Sequence, residues 1–333
     1  MFVSEAEDRD RLPVALLSGF LGSGKTTLLN ALLRDARLAD TAVAINEFGA
    51  VPLDQHLIDH GDDKTVVMAN GCLCCNLAGD MEEAVMRVFS RRESGALPRF
   101  RRLIVEPSGL ADPAPIAQAI LRNPLMSRAL RLDGIVTVVD ALFAPQQLDM
   151  HPEVAKQVSL ADRILLTKTD LAEGTQALRN RLAALNPAAP VLDVRHGQID
   201  PSLLFTPHFF DPASAAPPDV PRDLPPHAHG HTHGVEAVVL TAATPLDWRE
   251  FDLWLRRKRL GFGERLLRVK GIANVDGRPV VIQGVHHVLH QAVALDAWPD
   301  EDRRTRLVLI VAGVSAEEVR AGWDELVHAV AAA

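Results

Sequence analysis

Short apolar runs, each closed by a polar or glycine-rich segment, recur through the first half of the chain. Leu12 to Ser18 (LPVALLS), Thr65 to Asn70 (TVVMAN), Gly134 to Ala141 (GIVTVVDA), Arg163 to Leu171 (RILLTKTDL) and the run inside RRLIVEPSG, Arg101 to Gly109, have the continuous apolar character of strands buried on both faces. Between the first two, Leu28, Leu29, Leu32 and Leu33 fall at helical spacing and predict a helix over Thr27 to Leu38, and a further helix is expected to begin near Asp80. Buried strands alternating with helices predict a doubly wound, mostly parallel α/β sheet. From Pro201 the pattern dissolves into FFDPASAAPPDVPRDLPPHAHGHTHG, rich in proline and small residues, which reads as an exposed connection. Beyond it VEAVVLTA, a helix from Leu246 to about Leu260, strand patterns in LLRVKGIANV, RPVVIQGV and HHVLHQAVAL, then RLVLIVAG and a terminal helix predict a smaller α/β domain with an antiparallel sheet. The expected organisation is a first domain over 1–207, a linker over 208–234 and a second domain over 235–333.

Composition supports that division. The chain has 333 residues, 47% hydrophobic and 23% charged, which is long for one core. A formal net charge of −8 supplies no general basic field, so nucleic acid is not the expected partner. The opening MFVSEAEDRDRLP is acidic where a secretory signal would be basic and then apolar, and no apolar run approaches bilayer length. A cytoplasmic protein without a membrane partner is expected.

Chemistry enters between the first strand and the first helix. Gly19 to Thr26 (GFLGSGKT) is a complete G-x-x-x-x-G-K-[ST] loop in the strand-then-helix setting that such a loop requires. Gly19, Gly22 and Gly24 let backbone amides close around phosphate oxygens, and the helix N-terminus adds its dipole. Lys25 is placed to reach the β- and γ-phosphates and Thr26 to ligate Mg²⁺, with Ser23 and Thr27 completing the nucleotide-facing stretch. Glu106, at the end of an apolar strand, stands where a P-loop protein places the carboxylate that holds Mg²⁺ directly or through water. Lys25 and Glu106 are therefore the candidate catalytic pair. Thr167-Lys168-Thr169-Asp170 resembles the N/T-K-x-D guanine-reading motif of GTPases. In that motif the aspartate accepts from the base and the lysine stem packs on the ring, so Thr167, Lys168 and Asp170 are candidate nucleotide-binding residues and Asp170 favours GTP over ATP. Thr167 stands for the usual asparagine, keeping a hydroxyl but losing an amide, which bears on affinity and leaves base identity alone.

Cys72, Cys74 and Cys75 fall within four positions, and the other 329 positions contain no cysteine. In a reducing compartment an odd, clustered set excludes a disulfide scaffold and points to reactivity or to a soft metal such as Zn²⁺ or Cu⁺. Zinc prefers four tetrahedral ligands, and C-x-C-C supplies three. Adjacent Cys74 and Cys75 cannot face one way on a regular element, so the ligands need a bent loop, which Gly71 permits.

With GFLGSGKTT, INEFGAVPLD, GCLCC, EPSGLADPAP and TKTD in that order, the chain resembles the CobW-type metallochaperone GTPases, relatives of the nickel-insertion GTPases of urease and hydrogenase. The resemblance implies a GTP-hydrolysing protein with GTP and Mg²⁺, slow intrinsic turnover, and a transition metal, zinc or cobalt, bound at Cys72, Cys74 and Cys75. Asn46 and Glu47 fall in its first switch segment. There Ala50 replaces a second glutamate, Pro52 replaces a small residue, and Asp54 is kept. The fourth metal ligand is left open among water, Glu47 and a client protein. The implied function is nucleotide-dependent delivery of the metal to a client metalloprotein; a zinc buffer or sensor with incidental hydrolysis, and a P-loop kinase or ATPase with a structural zinc, are the rivals. His227, His229, His231 and His233 at the end of the linker form an auxiliary set able to bind Zn²⁺, Ni²⁺ or Co²⁺ weakly. Arg256 to Arg259 read as a solvated helix face, and His286, His287 and His290 as ordinary strand residues. Client recognition and a homo-oligomer remain open for the second domain.

Overall fold

In the computed structural model the described residues are 2–45, 67–69, 77–203 and 233–331. The strands in chain order are β1 (Val3–Ser4), β2 (Leu12–Gly19), β3 (Thr41–Ile45), β4 (Val67–Ala69), β5 (Arg102–Glu106), β6 (Leu130–Asp140), β7 (Arg163–Thr167), β8 (Val191–Asp193), β9 (Val235–Ala242), β10 (Leu266–Val275), β11 (Arg278–Val285), β12 (Val288–Leu289), β13 (Val293–Ala294) and β14 (Thr305–Ala312). The chain divides into two compact units. One comprises Arg11–Arg179 with Pro190–Thr206; the other comprises Met1–Asp10, Asn180–Ala189 and Pro207–Ala333. The first ten residues thus group with the second unit, whereas the sequence pattern placed them in the first.

In the first unit, strands run in the order β4-β3-β5-β2-β6-β7-β8, and every pairing is parallel. This is the doubly wound arrangement that the alternating pattern predicts. Its core includes Leu17, Val43, Ile104, Val136 and Leu165 from the strands and Leu28, Leu29 and Leu32 from the helix Lys25–Leu33. Leu28 and Leu29 are both 0% exposed, so truncating either to alanine should cost roughly 2–5 kcal/mol. The helix is shorter than its apolar spacing implied. It stops at Leu33, and the Asp35 side chain then accepts from the Arg37 amide to start a separate 3₁₀ turn, Ala36–Leu38. Strand β6 is longer than its apolar run, because Leu130 and Leu132 pair with Leu12 and Val14 of β2. The helix expected near Asp80 is Leu77–Glu93.

The second unit is built on a mixed, mostly antiparallel sheet in the order β1-β13-β11-β10-β14-β9, with β12 on β11. Its parallel pair joins Val3 to Val293 and Ser4 to Ala294. The helix Trp248–Phe262, capped by Asp247, buries Phe251, Trp254 and Leu255 against a core with Leu240, Val269, Leu309 and Trp323. HHVLHQAVAL does not form the single strand its alternation suggests. Val285 pairs with Val288 across a tight turn in which His286 takes φ +50°, leaving two-residue strands on either side of a break. Two adjacent histidines carry no turn signal of their own, so the pattern missed it. The basic run also divides. Arg256 and Arg257 are exposed, as expected, whereas Lys258 lies over the rings of Trp254 and Phe262 and donates to the Glu318 carbonyl. Burial lowers the Lys258 pKa from its ordinary value, against the opposing pull of Glu318.

Candidate nucleotide-binding rim

Because the first sheet is parallel throughout, the C-terminal ends of its strands open on one edge, where ligands of such folds bind. Strand β2 ends there in Gly19, and the chain turns through Phe20 to Gly24 into the helix Lys25–Leu33. Three glycines of that turn take positive φ: Gly19 at +140°, Gly22 at +72° and Gly24 at +97°. Only Gly19 is also pressed by its surroundings, since a Cβ there would sit 2.4 Å from the Val138 carbonyl oxygen on β6. The phosphate-loop pattern is thus a geometric requirement. Lys25, 8% exposed, folds back so that Nζ donates to the carbonyls of Gly19 at 2.8 Å and Phe20 at 3.2 Å. Its charge is held over the loop mouth, and Thr26 and Thr27 occupy the first helical turn behind it.

Glu106 closes β5 on the same edge and is buried. The segment after it, Pro107 to Asp112, is pressed against the loop: a Cβ on Gly109 would lie 2.9 Å from the Leu21 amide nitrogen. Gln157 fixes that segment from behind, its Nε2 donating to the Gly109 and Ala111 carbonyls at 3.1 Å each.

Strand β7 delivers Thr167, with Lys168 at φ +56° immediately after it. The Thr167 hydroxyl donates to the Ser23 carbonyl at 2.7 Å and lies 3.2 Å from the Val139 carbonyl. Its single donor is therefore used in bracing the loop, while its oxygen keeps its acceptor lone pairs. Lys168 Nζ donates to the Gly22 carbonyl at 2.9 Å and to Asp140 Oδ2 at 2.6 Å, and lies over the Phe143 ring at 5.7 Å. Asp170 is exposed beyond this turn. The structure therefore brings Gly19, Gly22, Ser23, Gly24 and Lys25 together with Thr167 and Lys168 on one rim.

Two contributors carry no motif. Asp140 ends β6 as Glu106 ends β5, and the closing carboxylate of GIVTVVD is its one signal. Gly197, at φ +74°, backs the first helical turn so closely that a Cβ would lie 2.9 Å from the Thr27 carbonyl. Nothing in its neighbourhood marks it in sequence.

Asn46, Glu47, Ala50, Pro52, Asp54, Cys72, Cys74, Cys75, His227, His229 and His231 lie outside the described residues. His233 is described and exposed, in the turn before β9. Among the described residues no group of three or more His, Cys, Asp or Glu stands in a metal-holding arrangement, and no helix is long and apolar enough to cross a membrane. His286 is buried, its Nδ1 2.9 Å from the Glu264 carbonyl, and His287 pairs with the Glu264 carboxylate at 2.7 Å.

Comparison with known proteins accords with this geometry. The zinc chaperone YjiA of Escherichia coli (strain K12) is 35% identical over 317 residues, spanning 95% of this chain and 98% of that protein. The zinc chaperone CobW of Pseudomonas aeruginosa is 29% identical over 340 residues, spanning 90% and 87%. The crystal structure of the Zn(II)-bound YjiA GTPase from E. coli superposes with a TM-score of 0.72 at 31% identity, covering 95% of this chain and 99% of that one. The CobW/HypB/UreG nucleotide-binding domain matches residues 13–193, and the CobW C-terminal domain, named for cobalamin synthesis, matches 235–327. Domain by domain, then, this chain belongs to the CobW/HypB/UreG family.

Proposed function

We propose that this protein is a GTP-hydrolysing metallochaperone that loads a transition metal, zinc before cobalt, at Cys72, Cys74 and Cys75 and hands it to a client metalloprotein under nucleotide control. It is a GTPase, as its family is. The observation that carries the nucleotide part is the rim itself: a loop with three positive-φ glycines, Lys25 folded over its mouth, and the T-K-x-D turn bonded to its Gly22 and Ser23 carbonyls. Lys25 neutralises developing charge on the transferred phosphoryl group, and Asp170 reads guanine. Thr26 on the first helical turn and Glu106 at the end of β5 are oxygen donors suited to Mg²⁺, which when bound neutralises phosphate charge.

The metal part rests on donor chemistry and on relatives. Three thiolates favour a soft cation over Mg²⁺ and leave one position for Glu47, water or a client donor. Two of the relatives are named zinc chaperones, and a Schizosaccharomyces pombe relative, 32% identical over 209 residues and matched over 50% of its length, is named a zinc-regulated GTPase metalloprotein activator. Nucleotide acting on the Asn46 to Asp54 segment would shape the cysteine loop, and linkage then requires zinc to tighten GTP binding by the same factor that GTP tightens zinc. Zinc titration with a non-hydrolysable GTP analogue and with GDP tests this. Tighter zinc binding in the GTP state, lost in Cys74→Ser, is the expected result; equal zinc affinity in both states would leave a zinc buffer in its place.

A further inference from the structure

The carboxylate of Asp140 has no part in the proposed function, yet among the described acidic residues of the rim it is the most completely enclosed, with a side chain 1% exposed. Oδ1 accepts from the Leu142 amide at 2.9 Å and the Phe143 amide at 3.3 Å, which fixes the rotamer. Oδ2 meets Lys168 Nζ at 2.6 Å. The same ammonium donates to the Gly22 carbonyl at 2.9 Å. Lys168 is held at φ +56°, a left-handed conformation that is strained for a non-glycine residue and persists only where surroundings enforce it. A lysine left to solvent keeps its rotamer freedom; here two acceptors on different segments remove it.

We propose that Asp140 is a positioning residue for the guanine nucleotide. It holds the Lys168 ammonium against Gly22, so that the base-facing turn Thr167–Asp170 and the phosphate loop form one rigid body. Two successive residues of the turn reach two successive loop carbonyls, Lys168 to Gly22 and Thr167 to Ser23. Of the two ties, only the first depends on a charge that a third residue must balance. Loss of that charge frees the Lys168 stem, the surface on which the base is expected to pack, and unpins the loop beside the phosphates. The inference rests on the reading of Thr167–Asp170 as the guanine site.

The test is nucleotide release from full-length protein, followed with fluorescent GDP and a fluorescent non-hydrolysable GTP analogue. Asp140→Asn keeps an acceptor toward Leu142 and Phe143 but turns an amide toward Lys168. Release of both nucleotides should accelerate about tenfold, the scale of one buried charge-assisted hydrogen bond, with KM for GTP raised in step and kcat changed less than threefold. Lys168→Met keeps the stem and removes the ammonium; it should give a similar acceleration, and the double variant should be no faster than either single one. Unchanged release in Asp140→Asn, or effects that multiply in the double variant, overturns the proposal. If Asp140→Asn does not fold, unchanged release in Lys168→Met overturns it equally. Asp170→Ala separates the two levels. If it leaves the preference for GTP over ATP intact, the guanine-site reading fails; if the preference is lost while Asp140→Asn releases nucleotide at the parental rate, only the positioning role fails.

Discussion

The two sheets are made from similar apolar runs but differ in where their strand-end polar residues go. In the parallel sheet, Glu106, Asp140 and Thr167 are the last residues of β5, β6 and β7, and Gly19 is the last of β2. All strand ends share one edge, so residues far apart in sequence meet around a single loop. In the mostly antiparallel sheet, antiparallel neighbours end on opposite edges, and two buried cations lie within one strand. Arg268 and Lys270 are mid-strand on β10 and 1% exposed each, with Arg268 Nη1 donating to the Gly284 carbonyl at 3.1 Å. The parallel sheet brings its candidate site residues to its rim, although β6 also encloses the Arg131–Asp133 pair at 3.2 Å; the other sheet holds Arg268 and Lys270 in its body. The direction of strand pairing makes the difference.

The largest expected effect tests whether catalysis is confined to the rim. Lys25→Ala should lower the GTP turnover number by on the order of 10²–10³, the usual loss for one preorganised charge-stabilising donor, while a variant of equal burial change in the antiparallel sheet leaves turnover near the parental value. A steady-state phosphate-release assay checks both.

Next come two glycines that play the same packing role in different sheets. A Cβ on Gly19 would lie 2.4 Å from Val138 O, and one on Gly271 2.0 Å from Arg306 O, both at positive φ. Either substitution to alanine should destabilise by about 3 kcal/mol or more, from clash and backbone strain together. Gly19→Ala should also abolish nucleotide binding, whereas Gly271→Ala should leave nucleotide affinity within a factor of two or so of the parent in whatever fraction folds. Thermal melts with and without GDP separate these outcomes, and equal damage to binding would erase the contrast between the sheets.

A smaller change sharpens the assignment of Thr167. Thr167→Val keeps the shape but removes the donor to Ser23 O, so GDP affinity should fall by roughly fivefold, about 1 kcal/mol. Isothermal titration with GDP and ADP should show both weakened in proportion, because the hydroxyl braces the loop and does not read the base.

The smallest effect belongs to an ion-paired carboxylate of the second unit. Asp302 is drawn down from an ordinary 3.8 to about 2, first by its side-chain hydrogen bonds to Arg304. A depressed carboxylate stabilises the fold above its unfolded pKa and loses that contribution as pH falls through its folded one. Asp302 therefore helps fully above about pH 4 and loses its effect toward pH 2. Solvent screening limits its worth to less than about 1 kcal/mol. Asp302→Asn should narrow the acid-side loss of stability in that window and leave the stability near pH 7 lower by no more than this amount. Denaturant melts at pH 7 and at pH 3 provide the comparison.

Legibility followed the range of the interaction. The phosphate loop was readable because its demands are local: Gly19, Gly22, Gly24 and Lys25 fall within one short stretch, and their conformations follow from their own chemistry. The strands β2, β5, β7, β10 and β11 were readable because burial on both faces leaves continuous apolar runs. Asp140 was not, because an aspartate at a strand end acquires meaning only from Lys168, 28 residues later. Gly197 acquires its meaning from a helix it meets only in the folded chain. The His286 turn and the extra strand β1 escaped for the same reason: His286 turns because Val285 and Val288 pair, and Val3 is a strand because Val293 is available to it.

By itself the sequence determined the continuous apolar runs, alternating with helices, that select a parallel sheet, the phosphate-loop pattern, and the clustering of three thiols, since each depends on residues near one another in the chain. Tertiary structure alone decided that the Thr167 hydroxyl bonds the Ser23 carbonyl, that Lys168 is tied to Asp140 and Gly22, and that the first ten residues join the second unit. Those outcomes depend on which strand ends arrive at a common edge, and hydrogen bonds of 2.6–2.9 Å between segments form only after the sheet has set the distance.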